Sequence, residues 1–273
     1  MHRLPARVLT TLLLNTPQVE LWPADLLRAR GNADARALAG AHTVLRRKQD
    51  GRYLAAVSAH AVIPMVPGLR REPGLDDAWD ALDRLEGASR GLDADAQGVL
   101  PLHALQERLH ALGLDDSYGE RSGLALVAEP AALAFAGRDR YRRPLWLTAA
   151  AARAWLAMQR AAYGEGIVLD AISGYRSHDY QLGIFTRKLA RGQTVEEILT
   201  VNAAPGYSEH HGGCALDIGT PGEPPAETSF ENTPAFAWLT RHAGDFGFAM
   251  SYPRDNPHGI VYEPWHWCYR PAA

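Results

Sequence analysis

The sequence predicts an α+β protein in two parts: an N-terminal α+β domain over residues 1–115, and a second domain over 122–273 whose helices flank a small antiparallel sheet. Three observations lead there. Apolar residues recur at helical spacing, as Leu102, Leu105, Leu109 and Leu112 do. Short β-rich runs such as IVLDAI end at turn signals. Near residues 113 to 122 the stretch GLDDSYGERSG is polar and glycine-rich between two apolar regions. With 273 residues, 47% of them hydrophobic, the chain can bury a sizeable core and divide into two domains.

In chain order, HTVLRRKQDGRYLAAV reads as a hairpin around Asp50-Gly51, because Asp-Gly suits the backbone of a tight turn. Leu75 to Leu85 and Leu102 to Leu112 follow as helices. The second domain opens with a helix between Thr148 and Gly164, with Ala151, Trp155, Met158 and Ala162 on its core face. IVLDAI is a strand that stops at the SGYRS turn, and Gln181 falls about a turn into the helix beyond. Thr194 and Glu197 form a capping box. Thr233 and Pro234 start a further helix with Phe236, Leu239 and Ala243 inward.

Two islands carry the chemistry, SEHHGGCALD and EPWHW. A mononuclear catalytic zinc site takes three ligands from His, Asp, Glu or Cys, an open fourth position, and a nearby carboxylate to move protons. His210, Asp217 and His266 can be the ligands and Glu263 the proton carrier, with one zinc per chain lying on the sheet face. His210 and Asp217 are an odd number of positions apart, so one straight strand would put them on opposite faces. A bend at Gly212-Gly213 resolves this, leaving His210 on a loop and Ala215 and Asp217 on one face of a strand. Pro264 likewise forces a kink between Glu263 and His266. His211, next to a ligand, points elsewhere and belongs to a supporting layer or the surface. Arg176, just past a strand end, can aim its planar fork into a cleft to grip a carbonyl or carboxylate, or simply pair with an acidic side chain. Tyr252 is a candidate for the pocket wall, with core packing as its other reading.

The islands match SxHxxGxAxD and ExxWH, through Ser208, His210, Gly213, Ala215, Asp217, Glu263, Trp265 and His266. In this the chain resembles the VanY-type D-alanyl-D-alanine carboxypeptidases of the LAS group of zinc peptidases, over roughly residues 122 to 270. SGYRSHDYQ resembles the family segment that carries a substrate-binding Arg and Gln, here Arg176 and Gln181. The resemblance further implies that Ser208 hydrogen-bonds substrate, and that the partner is a peptidoglycan stem peptide or muropeptide ending in D-Ala. D,D- and L,D-cleavage both stay open, with L,D-cleavage of recycled tetrapeptides favoured in a cytoplasmic setting. An endopeptidase of the same group, or a catalytically silent wall-binding module, is the alternative.

Composition excludes other classes. The net charge is −3 and no basic cluster breaks the balance, so the electrostatic footprint for nucleic acid is missing. No apolar run approaches the roughly 20 residues that span a bilayer. Arg3 and Arg7 precede the run VLTTLLL, which has no small-x-small cleavage site and reads as part of the fold. That favours a cytoplasmic protein, with export as the alternative. Two cysteines make no disulfide framework. If the strands of Asp217 and His266 pair antiparallel with these ligands opposite, Cys268 faces Ala215, Cys214 faces Tyr269, and no disulfide can form.

Overall fold

The computed structural model describes residues 12–87, 98–102 and 105–270. Residues 1–11, and with them Arg3, Arg7 and the start of the VLTTLLL run, lie outside the described residues. The chain divides into two compact units, Met1–Pro101 with Pro130–Phe135, and Leu102–Glu129 with Ala136–Ala273. No helix among the described residues is long and apolar enough to cross a membrane.

The first unit holds β1 (Leu12–Asn15), β2 (Val19–Pro23), α1 (Asn32–Leu38), β3 (Thr43–Arg47), β4 (Tyr53–Val57), β5 (Val62–Pro64) and α2 (Leu75–Gly87). Its strands lie in the order β5-β4-β3-β2-β1, and Ala132–Ala134, at the start of a later strand, pair antiparallel with β1. The expected hairpin is there, β3 to β4, turning through 48–52. The α2 helix forms because Leu75, Ala78, Leu82 and Leu85 repeat at spacings of three and four, while Asp76 and Asp77 begin it and Arg84 ends it in keeping with the helix dipole. Those four residues pack into one core with Leu14, Val19, Leu21, Leu45 and Leu54 of the strands.

The second unit begins with α3 (Leu105–Ala111) and α4 (Tyr118–Ser122). The expected helix from Leu102 starts three residues later, and Leu102 lies before it as a half-buried side chain on the same cluster. That cluster joins Leu105, Leu109 and Tyr118 to Ala203, Tyr207, Tyr252 and Ile260, so α3 belongs to the unit that carries the two islands. Next come β6 (Ala132–Arg138), whose first residues belong to the other unit, β7 (Pro144–Leu147), α5 (Ala149–Gly164), β8 (Asp170–Ser173), α6 (His178–Leu189) and α7 (Val195–Leu199). The chain closes with β9 (Ala215–Gly219), α8 (Pro234–His242), β10 (Phe248–Met250) and β11 (His266–Tyr269).

Local chemistry sets the helix starts. Thr148 accepts from the Ala151 amide at the head of α5, and Ala151, Trp155, Met158 and Ala162 are buried. The Thr194–Glu197 box caps α7 with both of its hydrogen bonds present, an arrangement worth about 1 kcal/mol. Thr233 caps α8 with Pro234 in its first turn, but the inward residues differ in part from expectation. Ala235, Trp238, Leu239 and Ala243 are buried, whereas Phe236 is half-buried and meets Phe230 and Trp267 edge-on at centroid distances of 6.0 and 6.5 Å.

Four strands of this unit form an antiparallel sheet in the order β10-β11-β9-β8. The β9–β11 register is regular: His266 opposite Asp217, Trp267 opposite Leu216, Cys268 opposite Ala215. The Tyr269 amide donates to the Cys214 carbonyl at 2.9 Å. Both thiols are free, as this register requires. A register irregularity does occur, between β8 and β9 at Ile172 rather than beside the glycine bend.

Thiol titration of denatured, unreduced protein should count two thiols per chain; a count of zero would show a bridge that this register forbids. Trp155 is 1% exposed, so Trp155→Ala should destabilise the second unit by about 3–5 kcal/mol in urea titrations. A loss below about 1 kcal/mol would mean that the surrounding core collapses around the gap.

Candidate metal centre

The centre is built on the β9–β11 pair. Asp217 and His266 are cross-strand neighbours, so their side chains leave the same face of the sheet within reach of each other. His210 arrives from a short 3-10 turn, Glu209–Gly212, that leads into β9. Gly213 ends this turn with φ of 68°, a left-handed conformation that a side chain resists, and it returns the chain to the strand. The three side chains are buried, and a ligand atom from each lies within 4.8 Å of the others.

The tautomers follow from the hydrogen bonds. His210 Nδ1 donates to the Gly174 carbonyl at 2.7 Å, which leaves its buried Nε2 with a lone pair and no hydrogen-bond partner, 3.3 Å from Asp217 Oδ1. A side chain on Gly174 would crowd this carbonyl's surroundings, since a Cβ there would stand 2.7 Å from Leu145 Cδ1 and 3.1 Å from the Trp146 carbonyl. His266 Nε2 lies 2.8 Å from Glu209 Oε2, and its Nδ1 lies 3.2 Å from Asp217 Oδ1. Ligand atoms 2.0–2.1 Å from a tetrahedral ion stand about 3.3 Å apart, and the two spacings to Asp217 match this. The donor set fits a divalent metal ion bound through His210 Nε2, Asp217 and His266 Nδ1.

The electrostatics point the same way. Burial and the positive Arg176 push His210 down to about 4, so it is neutral and able to ligate. Burial alone would lower His266 too, but its bonds to Asp217 and Glu209 prevail and raise it to about 9. A spot that attracts a proton this strongly attracts a metal cation for the same reason. Burial works to raise Asp217, yet His210, His266 and Arg176 together hold it well below the ordinary carboxylate range. Glu209 is lowered to about 2 against its own burial, chiefly by His266.

The cavity beside the centre, about 330 Å³, is lined by Arg176, Gln181, Ser208, Tyr252 and Glu263. The three candidate ligands line the same space, whereas His211 and Ala215 do not. Glu263 Oε2 is 3.9 Å from His266 Nδ1. The expected kink is a tight turn at Pro264–Trp265, closed by the His266 amide on the Glu263 carbonyl at 3.1 Å. Burial, aided by the negative Asp217 and Glu209, pushes the Glu263 carboxyl up to about 7. Arg176 has its backbone gripped from both sides: its amide donates to the His210 carbonyl at 3.2 Å, and its carbonyl accepts from His211 Nδ1 at 2.7 Å. Its guanidinium forms a loose ion pair with Asp217 at 3.9 Å, and its buried Nε has no hydrogen-bond partner. Gln181 donates to the Ala203 carbonyl at 2.9 Å. Ser208 is buried and does not use its hydroxyl to cap the turn that follows. The Tyr252 ring lies against His266 at 4.8 Å, and burial raises its phenol, which stays neutral.

Sequence reasoning missed two carboxylates. Glu209 bonds His266 from 57 positions away and is itself held by Arg270 at 2.7 Å. Buried Glu129 accepts from the His178 amide at 2.8 Å at the start of α6 and from the Tyr175 hydroxyl at 2.5 Å. No spacing signals either contact. His211 proves fully buried, its Nε2 accepting from the Gly206 amide at 3.0 Å and its ring edge-on to His178, which places it in the supporting layer.

Residues 144–272 match the family model VanY: D-alanyl-D-alanine carboxypeptidase. Over these residues the chain is similar to the VanY-type carboxypeptidases. The chain is 37% identical over 129 residues to the protein YodJ of Bacillus subtilis, covering 44% of each sequence. It is 36% identical over 97 residues to a D-alanyl-D-alanine carboxypeptidase of Enterococcus faecium, covering 34% of this chain and 27% of that one. It spans less than half the length of either relative. Among solved structures, the LD-carboxypeptidase LdcB is 35% identical with a TM-score of 0.42, covering 45% of this chain and 59% of that one.

Glu209→Gln should weaken divalent-metal binding about 10–100-fold, the usual result of removing a carboxylate behind a ligating histidine. Competition with a chromophoric chelator measures it. Unchanged affinity would show that His266 is oriented without Glu209.

Proposed function

We propose that this protein is a zinc-dependent carboxypeptidase that releases C-terminal D-Ala from peptidoglycan stem peptides. The observation that carries the reading is one cavity holding a three-ligand set, a carboxyl raised to about 7 by burial, and a guanidinium tied only by a loose 3.9 Å ion pair to Asp217. A structural zinc site is closed by four protein ligands and has no use for such a carboxyl. The match of residues 144–272 to the VanY family model supports the substrate class.

His210, Asp217 and His266 would hold a zinc ion, which would supply Lewis acidity to a water and to a carbonyl. Glu263, poised near neutrality, accepts the proton of the attacking water and returns it to the departing amine of D-Ala. Arg176 donates to the carbonyl oxygen as negative charge builds there, from a backbone held rigid by His210 and His211. Ser208 and Gln181 position the terminal residue, and Tyr252 walls the pocket against the His266 ring.

A chelator should abolish D-Ala release while leaving most of the far-ultraviolet circular dichroism intact, and zinc should restore activity. Glu263→Ala should keep the metal but lose on the order of 10² to 10⁴ in turnover. Arg176→Ala should lower kcat and raise KM together. The deciding assay measures free D-Ala from a tetrapeptide and a pentapeptide side by side. Release from neither by zinc-loaded protein would refute the reading.

A further inference from the structure

The cavity extends beyond the metal centre along one face of α6. Arg176 stands just before the helix, and Gln181, Ile184 and Lys188 follow at spacings of three and four, all lining the space. At 1.5 Å per residue, Lys188 lies about 10 Å further along the axis than Gln181. Its Nζ donates to Asn202 Oδ1 at 2.6 Å, and Asn202 lines the cavity too. An ammonium has three donors, so two remain. Among the described residues no carboxylate pairs with Lys188, while burial and the neighbouring Arg191 push its ammonium down. A cation in the last turn of a helix has a structural explanation in the helix dipole. Arg187 beside it is exposed and reaches back over the Tyr180 ring at 5.9 Å, whereas Lys188 is half-buried and lines the cavity.

We propose that Lys188 is a specificity-determining residue that takes a second carboxylate of the substrate, one carried by a residue upstream of the C-terminal one. The inference rests on the carboxypeptidase reading above. An extended peptide advances about 3.3–3.6 Å per residue, so about 10 Å corresponds to about three residues. The side-chain carboxylate of an acidic or diamino-acid residue, one or two positions before D-Ala, falls within that span. Lysine meets such a group as a compact point charge on a flexible stem, so it tolerates either position.

The test uses zinc-loaded Glu263→Gln protein and calorimetry with four peptides ending in D-Ala: a side-chain carboxylate on the penultimate residue, one on the residue before that, and the amidated counterpart of each. Amidation should weaken binding about 10-fold or more at one of the two positions. Lys188→Met, which keeps the apolar stem and a similar helix propensity, should weaken the corresponding acidic peptide by the same factor and leave its amide unchanged. Equal effects on acid and amide, no effect on either, or no binding of any peptide would overturn the proposal. Release of D-Ala from the same peptides by unmutated protein is scored separately. Release with binding indifferent to Lys188 strikes this inference alone; absence of release strikes the carboxypeptidase reading, while the binding pattern still decides Lys188.

Discussion

The antiparallel register between β9 and β11 is the constraint on which the rest of the site depends. It sets Asp217 opposite His266 on one face of the sheet, and a slip of one residue would send one of them to the other face. The remaining donor need not lie on a strand. His210 enters from the turn before β9, its angle set by Gly213 and its ring by the Gly174 carbonyl at the end of β8. Each of three strands thus contributes one fixed point.

Two histidines with the same task sit in opposite fields. His210 is buried beside Arg176 and is held neutral, whereas His266 lies between Asp217 and Glu209 and is held positive. The asymmetry arises because Glu209 reaches only one of them. It is sequence neighbour to His210 yet hydrogen-bonded to His266, so the two islands are joined by a side-chain bond as well as by the strand pairing. Glu263 completes the pattern, because it stands 3.9 Å from the His266 ring where Glu209 is bonded to it at 2.8 Å, and burial therefore dominates its behaviour.

How much of this could be read in advance divides along a physical line. The bend at Gly212-Gly213, the caps at Thr148, Thr194 and Thr233 and the β9–β11 register follow from local backbone rules and short spacing, and the structure contains them; it also brings the candidate ligands His210, Asp217 and His266 together. The strands β1 and β2 were not anticipated, because LLLN and VELWP are too short to show an alternation that separates strand from helix. Trp238 took the core place expected of Phe236, a choice of rotamer and neighbour that periodicity does not resolve. Glu209, Glu129 and Lys188 escaped notice for a different reason: each acts through a partner or a cavity assembled by distant chain, and a lone charged residue carries no mark of where its side chain will point.

The sheet order β10-β11-β9-β8 puts the two ligand-bearing strands in the interior and leaves the outer places to strands of three and four residues. The outer side of β8 is itself partly covered, with the Arg140 amide donating to the Ala171 carbonyl at 2.8 Å, and edges this short are poor templates for another chain. Strand exchange, the usual hazard of small open sheets, would therefore begin at β8 or β10 and would have to displace a neighbour before reaching Asp217 or His266. Two short strands that carry no candidate ligand thus flank the pair that does.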